Sequence, residues 1–116
     1  MDADELLLTL ADTAGHARHI TAAGDLDVSS SAQLATMIDE LIQSGVTLIV
    51  LDLTAVGFAD SSGLRVIVHA GNQLEAHDGR LIIEGVSPAV GRLLELTGLI
   101  DRYRHVTENN AETENE

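Results

Sequence analysis

The apolar and polar positions of this chain switch between two periods. Glu5-Leu6-Leu7-Leu8-Thr9-Leu10 reads as a short strand, and Asp12-Thr13-Ala14-Gly15 after it carries turn chemistry. Ala17 to Ala23 reads as a second strand, with Ile20 and Ala22 on one side. Two short strands with a tight link predict an antiparallel hairpin. Gly24-Asp25-Leu26-Asp27 is expected as a loop. Leu34, Met37, Ile38, Leu41 and Ile42 then recur at helical spacing. They predict a helix over 31–44, opened by a capping box of Ser30 and Gln33 and closed at Gly45 in a left-handed turn.

Thr47-Leu48-Ile49-Val50-Leu51-Asp52-Leu53 is nearly all apolar and rich in branched residues, which predicts a central strand covered on both faces. Residues 54–59 are expected as a loop and 61–76 as a second helix. That helix turns Leu64, Ile67, Val68, Gly71 and Leu74 inward and Arg65, His69, Asn72 and Glu75 largely outward. His77-Asp78-Gly79 ends it. Residues 80–84 form another strand. Ser87-Pro88 starts a third helix, because Ser suits the cap and Pro the first turn. Gly98 closes that helix, and 99–106 is expected to end in a short strand or turn. The order is ββαβαβα, which predicts an α/β fold with a mixed, partly parallel sheet and right-handed crossovers.

Composition narrows the class. The 116 residues suit one domain, taken as 1–106, with 107–116 as an acidic disordered tail that has no bulky apolar side chain. Aromatics are 2% of the chain, so the core must be aliphatic. With no cysteine, disulfides, thiolate catalysis and Cys-ligated zinc are excluded. The start, Met1-Asp2-Ala3-Asp4-Glu5, is acidic where a signal peptide is basic, and no apolar run approaches a membrane span. A soluble, cytoplasmic protein is expected. The net charge of −13, with Arg as its sole cationic side chain besides histidine, disfavours nucleic acid and anionic membranes as partners.

The stretch that carries chemistry is Asp60-Ser61-Ser62-Gly63-Leu64, delivered by an apolar strand and a loop to a helix start. Strand ends of open α/β sheets are where ligands and partners meet the fold. On pattern alone these residues read first as a helix cap. A hydroxyl at a helix N-terminus is also a place where a phosphate is tolerated, because backbone N–H groups and the helix dipole favour negative charge there. A serine hydrolase is not expected. There is no Gly-x-Ser-x-Gly elbow, and His69 lies eight residues past Ser61, about 12 Å along a helix. His16 and His19 have no partner pair elsewhere, and Asp25-x-Asp27 is too sparse for a calcium loop. There is no phosphate-binding glycine loop, so no metal, nucleotide or other cofactor is expected.

Four segments in order resemble the STAS-domain anti-sigma factor antagonists of bacteria: Gly24-Asp25-Leu26-Asp27, Leu48 to Leu53, Asp60-Ser61-Ser62-Gly63-Leu64, and Ser87-Pro88-Ala89-Val90 with Leu93 and Thr97-Gly98-Leu99. The resemblance spans about residues 5–106. It implies a STAS-like mixed β-sheet covered on one side by α-helices and a non-enzymatic switch. In that switch the unphosphorylated protein binds an anti-sigma factor that is also an ATP-using serine kinase, which frees a sigma factor. Phosphorylation of Ser61 ends the contact and a phosphatase resets it. Asp27, Asp60, Ser61, Ser62, Gly63 and Arg65 are the implied partner-binding residues. For Asp27 a loop or capping role stands equally open. The rival job for the same fold is an unphosphorylated scaffold or the accessory subunit of a membrane transporter.

Two departures stand out. The family's phosphorylation motif commonly continues Gly-Leu-Gly, whereas this chain has Gly63-Leu64-Arg65, which puts a cation four residues after Ser61. The family's closing amphipathic helix also has no counterpart in 107–116. The missing cover would expose apolar surface and favour a homodimer.

Overall fold

The computed structural model describes residues 5–103. The expected tail at 107–116 lies outside that range. Eight elements follow in order: β1 (Leu7–Asp12), β2 (Ala17–Leu26), α1 (Ser31–Gln43), β3 (Leu48–Ala59), α2 (Ser61–Ala76), β4 (Arg80–Val86), α3 (Pro88–Thr97) and α4 (Ile100–Tyr103). The sheet order is β1-β2-β3-β4. β1 and β2 form the expected antiparallel hairpin, with Leu8 opposite Ala22 and Leu10 opposite Ile20. β2, β3 and β4 run parallel. Because the order is monotonic, both crossover helices cross the sheet in the same sense, so both land on one face.

That face holds the core. Ile20, Ala22 and Leu26 of β2, Ile49, Leu51 and Leu53 of β3, and Leu81 and Ile83 of β4 pack with Leu34 and Ile38 of α1, Ile67 and Leu74 of α2, and Val90 and Leu94 of α3. Every one of these side chains is aliphatic, as the scarcity of aromatics requires. Fully burying one such side chain stabilises the fold by about 1.5–3 kcal/mol.

β3 is not covered on both faces. Ile49, Leu51 and Leu53 are buried, while Leu48, Val50 and Asp52 between them are half-buried. The opposite face of the sheet is a mixed surface on which His19 of β2 meets Glu84 of β4 at 2.5 Å. A continuous apolar run thus came from helices on one side and only partial cover on the other.

Two stretches expected as loops are strands. Gly24 to Leu26 continues β2, and Thr54 to Ala59 continues β3, where the two strands pair Gly24 with Val56, Asp25 with Phe58 and Leu26 with Ala59. The glycine that looked like a turn is a paired strand residue, opposite Val56, and the bulges around it lie on β3. Gly24 has φ +105°, and the register shifts between Thr21 and Ala23 and again between Gly24 and Asp25, each time with one more residue on β3. Of the closing segment expected over 99–106, the described part holds the short helix α4 rather than a strand or turn, and 104–106 lie outside the described residues.

Helix ends follow their local chemistry with one exception. Gly45 (φ +101°) ends α1 in the expected left-handed turn, and Gly98 (φ +75°), expected to close α3, does so and is left-handed as well. Ser87 Oγ accepts the Val90 N–H at 3.2 Å, and Pro88 sits at the first position of α3. The capping box of α1 does not form. Ser30 has φ −118° and ψ −15°, close to helical, so its hydroxyl does not point at the helix N–H groups. The Gln33 N–H bonds to the Ser30 carbonyl instead, at 3.0 Å.

The serine end of the sheet

β2 and β3 finish side by side, and their carboxyl ends place two loops together. The Asp60 N–H donates to the Leu26 carbonyl at 3.3 Å, tying the start of α2 to the last residue of β2. Gly63 tightens this joint. A Cβ there would lie 2.6 Å from Leu26 Cγ and 2.9 Å from the Leu26 carbonyl oxygen. Only a glycine lets the first turn of α2 settle this deeply, so Gly63 is buried against Leu26 and seats the helix.

Asp60 caps α2 with an extended backbone (φ −124°, ψ −169°). Its Oδ1 accepts the Ser62 N–H at 2.9 Å and the Gly63 N–H at 3.4 Å. The cap expected from the pattern is therefore present, and the aspartate supplies it. Ser61 is left free of that duty. It is the first residue of α2, is exposed, and its hydroxyl makes no hydrogen bond among the described residues. Ser62 is half-buried behind it.

Arg65, one turn further on, is exposed and lines one shallow depression of about 440 Å³ together with Ser61, Leu64, Val68, His69 and Asn72. Leu64 and Val68, expected to face inward, are only half-buried and form the apolar part of this hollow. The fully buried positions of α2 are Gly63, Ile67, Ala70, Gly71 and Leu74. The inward stripe is thus rotated from the expected one, because small residues at 63, 70 and 71 let backbone rather than side chains approach the sheet and α1.

Asp27 follows directly on Leu26, at the same end of the sheet. Its Oδ1 accepts from the Ser29 N–H at 3.0 Å and the Ser29 hydroxyl at 2.8 Å, and lies 3.1 Å from the Ser30 hydroxyl. The Ser29 hydroxyl above all, with the Ser30 hydroxyl and the backbone N–H groups of both serines, holds this carboxyl below its ordinary range against a smaller opposing effect of burial. The loop role of Asp27 therefore has direct support in these bonds. A polar hollow beside it is lined by Glu5, Asp25, Ser29 and Gln33. Sequence reasoning missed Leu26 as a site residue. Its fit against Gly63 was hidden because Gly24-Asp25 made the segment look like a loop.

His69 lines the same hollow two helical turns past Ser61, and His77 lies beyond it. His77 Nδ1 lies 2.9 Å from the Gln73 carbonyl oxygen, at the far end of α2. Among the described residues no group of three or more His, Asp or Glu is placed to hold a metal ion, and no helix is long and apolar enough to cross a membrane.

Fold and site together define a small mixed-sheet α/β module that displays one serine at a helix start. The STAS domain family profile matches residues 10–113. The anti-sigma-B factor antagonist of Staphylococcus aureus is 39% identical over 85 residues, covering 73% of this chain and 78% of that one. The anti-sigma factor antagonist SpoIIAA in its unphosphorylated form superposes with a TM-score of 0.73 at 29% identity, over 80% of this chain and 82% of that one. The Bacillus cell fate determinant SpoIIAA in its phosphorylated form gives 0.72 at 26% identity, over 95% and 100%. This chain belongs to the STAS-domain anti-sigma factor antagonist family.

Proposed function

We propose that this protein is a phosphorylation-controlled antagonist of an anti-sigma factor. Unphosphorylated, it docks through the carboxyl end of β2 and β3 and the start of α2 on an anti-sigma serine kinase, and so releases a sigma factor. The kinase then transfers the γ-phosphoryl group of ATP to Ser61 Oγ. The Oγ–P bond forms, the bond to ADP breaks, and the hydroxyl proton leaves to solvent or a kinase base. A phosphatase reverses the state by hydrolysis, giving serine and inorganic phosphate.

One observation carries this reading. Serines stand at the starts of all three long helices, and the hydroxyl of Ser61 is exposed and uncommitted, whereas those of Ser30 and Ser87 are buried and hydrogen-bonded. A phosphate at Ser61 sits at the positive end of α2 and leaves the fold intact. A partner closed over the same hydroxyl would instead have to desolvate a group of about −1.5 to −2 charges, which costs several kcal/mol unless it is paired. The switch then acts on the complex and spares the domain. The relatives' names, and the existence of a homologous fold in both phosphorylated and unphosphorylated forms, point the same way.

The test is incubation with ATP and candidate serine kinases from the same genome, read by intact mass. We expect the gain of one phosphate, absent in Ser61→Ala, and kinase binding retained by Ser61→Ala but weakened at least 100-fold by Ser61→Asp. Phosphate on another residue, or an aspartate at 61 that leaves every association unchanged, would reject the switch. The second outcome is the one expected of an unphosphorylated scaffold or transporter subunit.

A further inference from the structure

We propose that Arg65 is a phosphate-holding residue in cis: once Ser61 carries a phosphate, the Arg65 guanidinium folds back one helical turn and pairs with it. The inference rests on the reading of Ser61 as the modified residue and adds how the modified state is held.

Four residues separate the two positions, a rise of about 6 Å that puts both side chains on one face of α2. They line the same hollow, so the path between them is open. Side chains on a helix lean toward its N-terminus, which carries the stem of Arg65 over the turn that begins with Ser61. The apolar floor of Leu64 and Val68 suits the methylene part of that stem.

The guanidinium is also available. Arg65 makes no hydrogen bond or ion pair among the described residues, whereas Arg18 is held by Asp12 at 3.0 Å and Arg102 by Glu75 at 3.2 Å. The first turn of α2 has no acidic residue, and the Oδ1 of Asp60 is taken up by two backbone N–H groups. No carboxylate has to be displaced before a phosphate is bound. His69, eight residues from Ser61 and about 12 Å along the axis, is out of reach. Arginine suits the task because its planar fork matches two phosphate oxygens at once. The phosphate is thereby drawn down along α2 and partly neutralised.

The experiment installs phosphoserine at position 61 during translation, with no kinase, and follows the second ionisation of the phosphate by phosphorus NMR. We expect it about half a pH unit lower with Arg65 present than in Arg65→Ala, the modest size reflecting an exposed pair. Arg65→Lys should keep part of the shift. Arg80→Ala removes an equal charge from the opposite end of the strands and should leave the ionisation unchanged. The same ionisation in the native and Arg65→Ala proteins would overturn the proposal. A shift in Arg80→Ala as large as that in Arg65→Ala would also overturn it, since bulk charge would then be the cause. Because the phosphate is placed chemically, failure of the kinase assay leaves this measurement intact, and the two readings fail separately.

Discussion

The starts of α1 and α2 use the same residue types to opposite ends. Each has an aspartate and serines at the carboxyl end of a parallel strand: Asp27, Ser29 and Ser30 precede α1, whereas Asp60 precedes α2 and Ser61 and Ser62 open it. Before α1, Ser30 is 7% exposed. Its hydroxyl lies 2.7 Å from the Asp25 carbonyl oxygen and accepts the Asp27 N–H at 3.0 Å. At α2 the aspartate takes over the capping and the serine after it stands free. One hydroxyl is built into the joint between strand and helix, and the other is offered to whatever approaches. A serine beside an aspartate is therefore a lock or a display depending on which of the two satisfies the helix N–H groups.

The sharpest way to break the contrast is to unseat the displayed end. Gly63→Ala puts a methyl group into Leu26 and its carbonyl, neither of which can retreat without moving β2. Urea unfolding should show a loss of about 3 kcal/mol. Retained stability would mean that α2 is not held by this contact.

Next comes the pair of serine deletions. Ser30→Ala removes the hydrogen bonds to the part-buried Asp25 carbonyl and Asp27 N–H and should cost about 2 kcal/mol. Ser61→Ala removes a hydroxyl with no partner and should stay within about 0.5 kcal/mol of the native protein. Equal losses in the two variants would erase the distinction between lock and display.

The smallest effect is on acid stability. Asp27 is held below its ordinary value of 3.8 in the fold. A carboxyl whose folded value is depressed adds stability that is complete above its unfolded value and is lost as pH falls through the folded one. The loss therefore begins near pH 3.8 and continues below it. Asp27→Asn should flatten this limb of the unfolding midpoint against pH, because the neutral region loses the carboxylate's contribution while the acid limit stays little changed. An unaltered acid limb would show that the serine hydrogen bonds to Asp27 contribute nothing to folding.

Much of this molecule could be read from the chain, and the failures have a common origin. The three long helices were legible because apolar spacing, Pro88, Gly45 and Gly98 are local signals. The elongated ends of β2 and β3 were not. Gly24, Asp25, Thr54 and Gly57 carry loop chemistry, yet the two strands satisfy each other's backbone groups across them. The capping box at Ser30 failed for a related reason. A capping residue must be extended, and its backbone angles were set by the bonds to Asp25 and Asp27 rather than by its neighbours in α1.

By itself, the sequence determined the order of elements, an aliphatic core, a charge hostile to polyanions and the segment on which any switch must act. Those properties depend on residue type and on periods of a few positions, which local sterics and hydrophobicity convert directly into structure. The tertiary fold alone decided that the ends of β2 and β3 lengthen into paired strands and that Gly63 must meet Leu26. These depend on contacts between residues far apart in the chain, and no local pattern encodes how closely two distant backbones will approach.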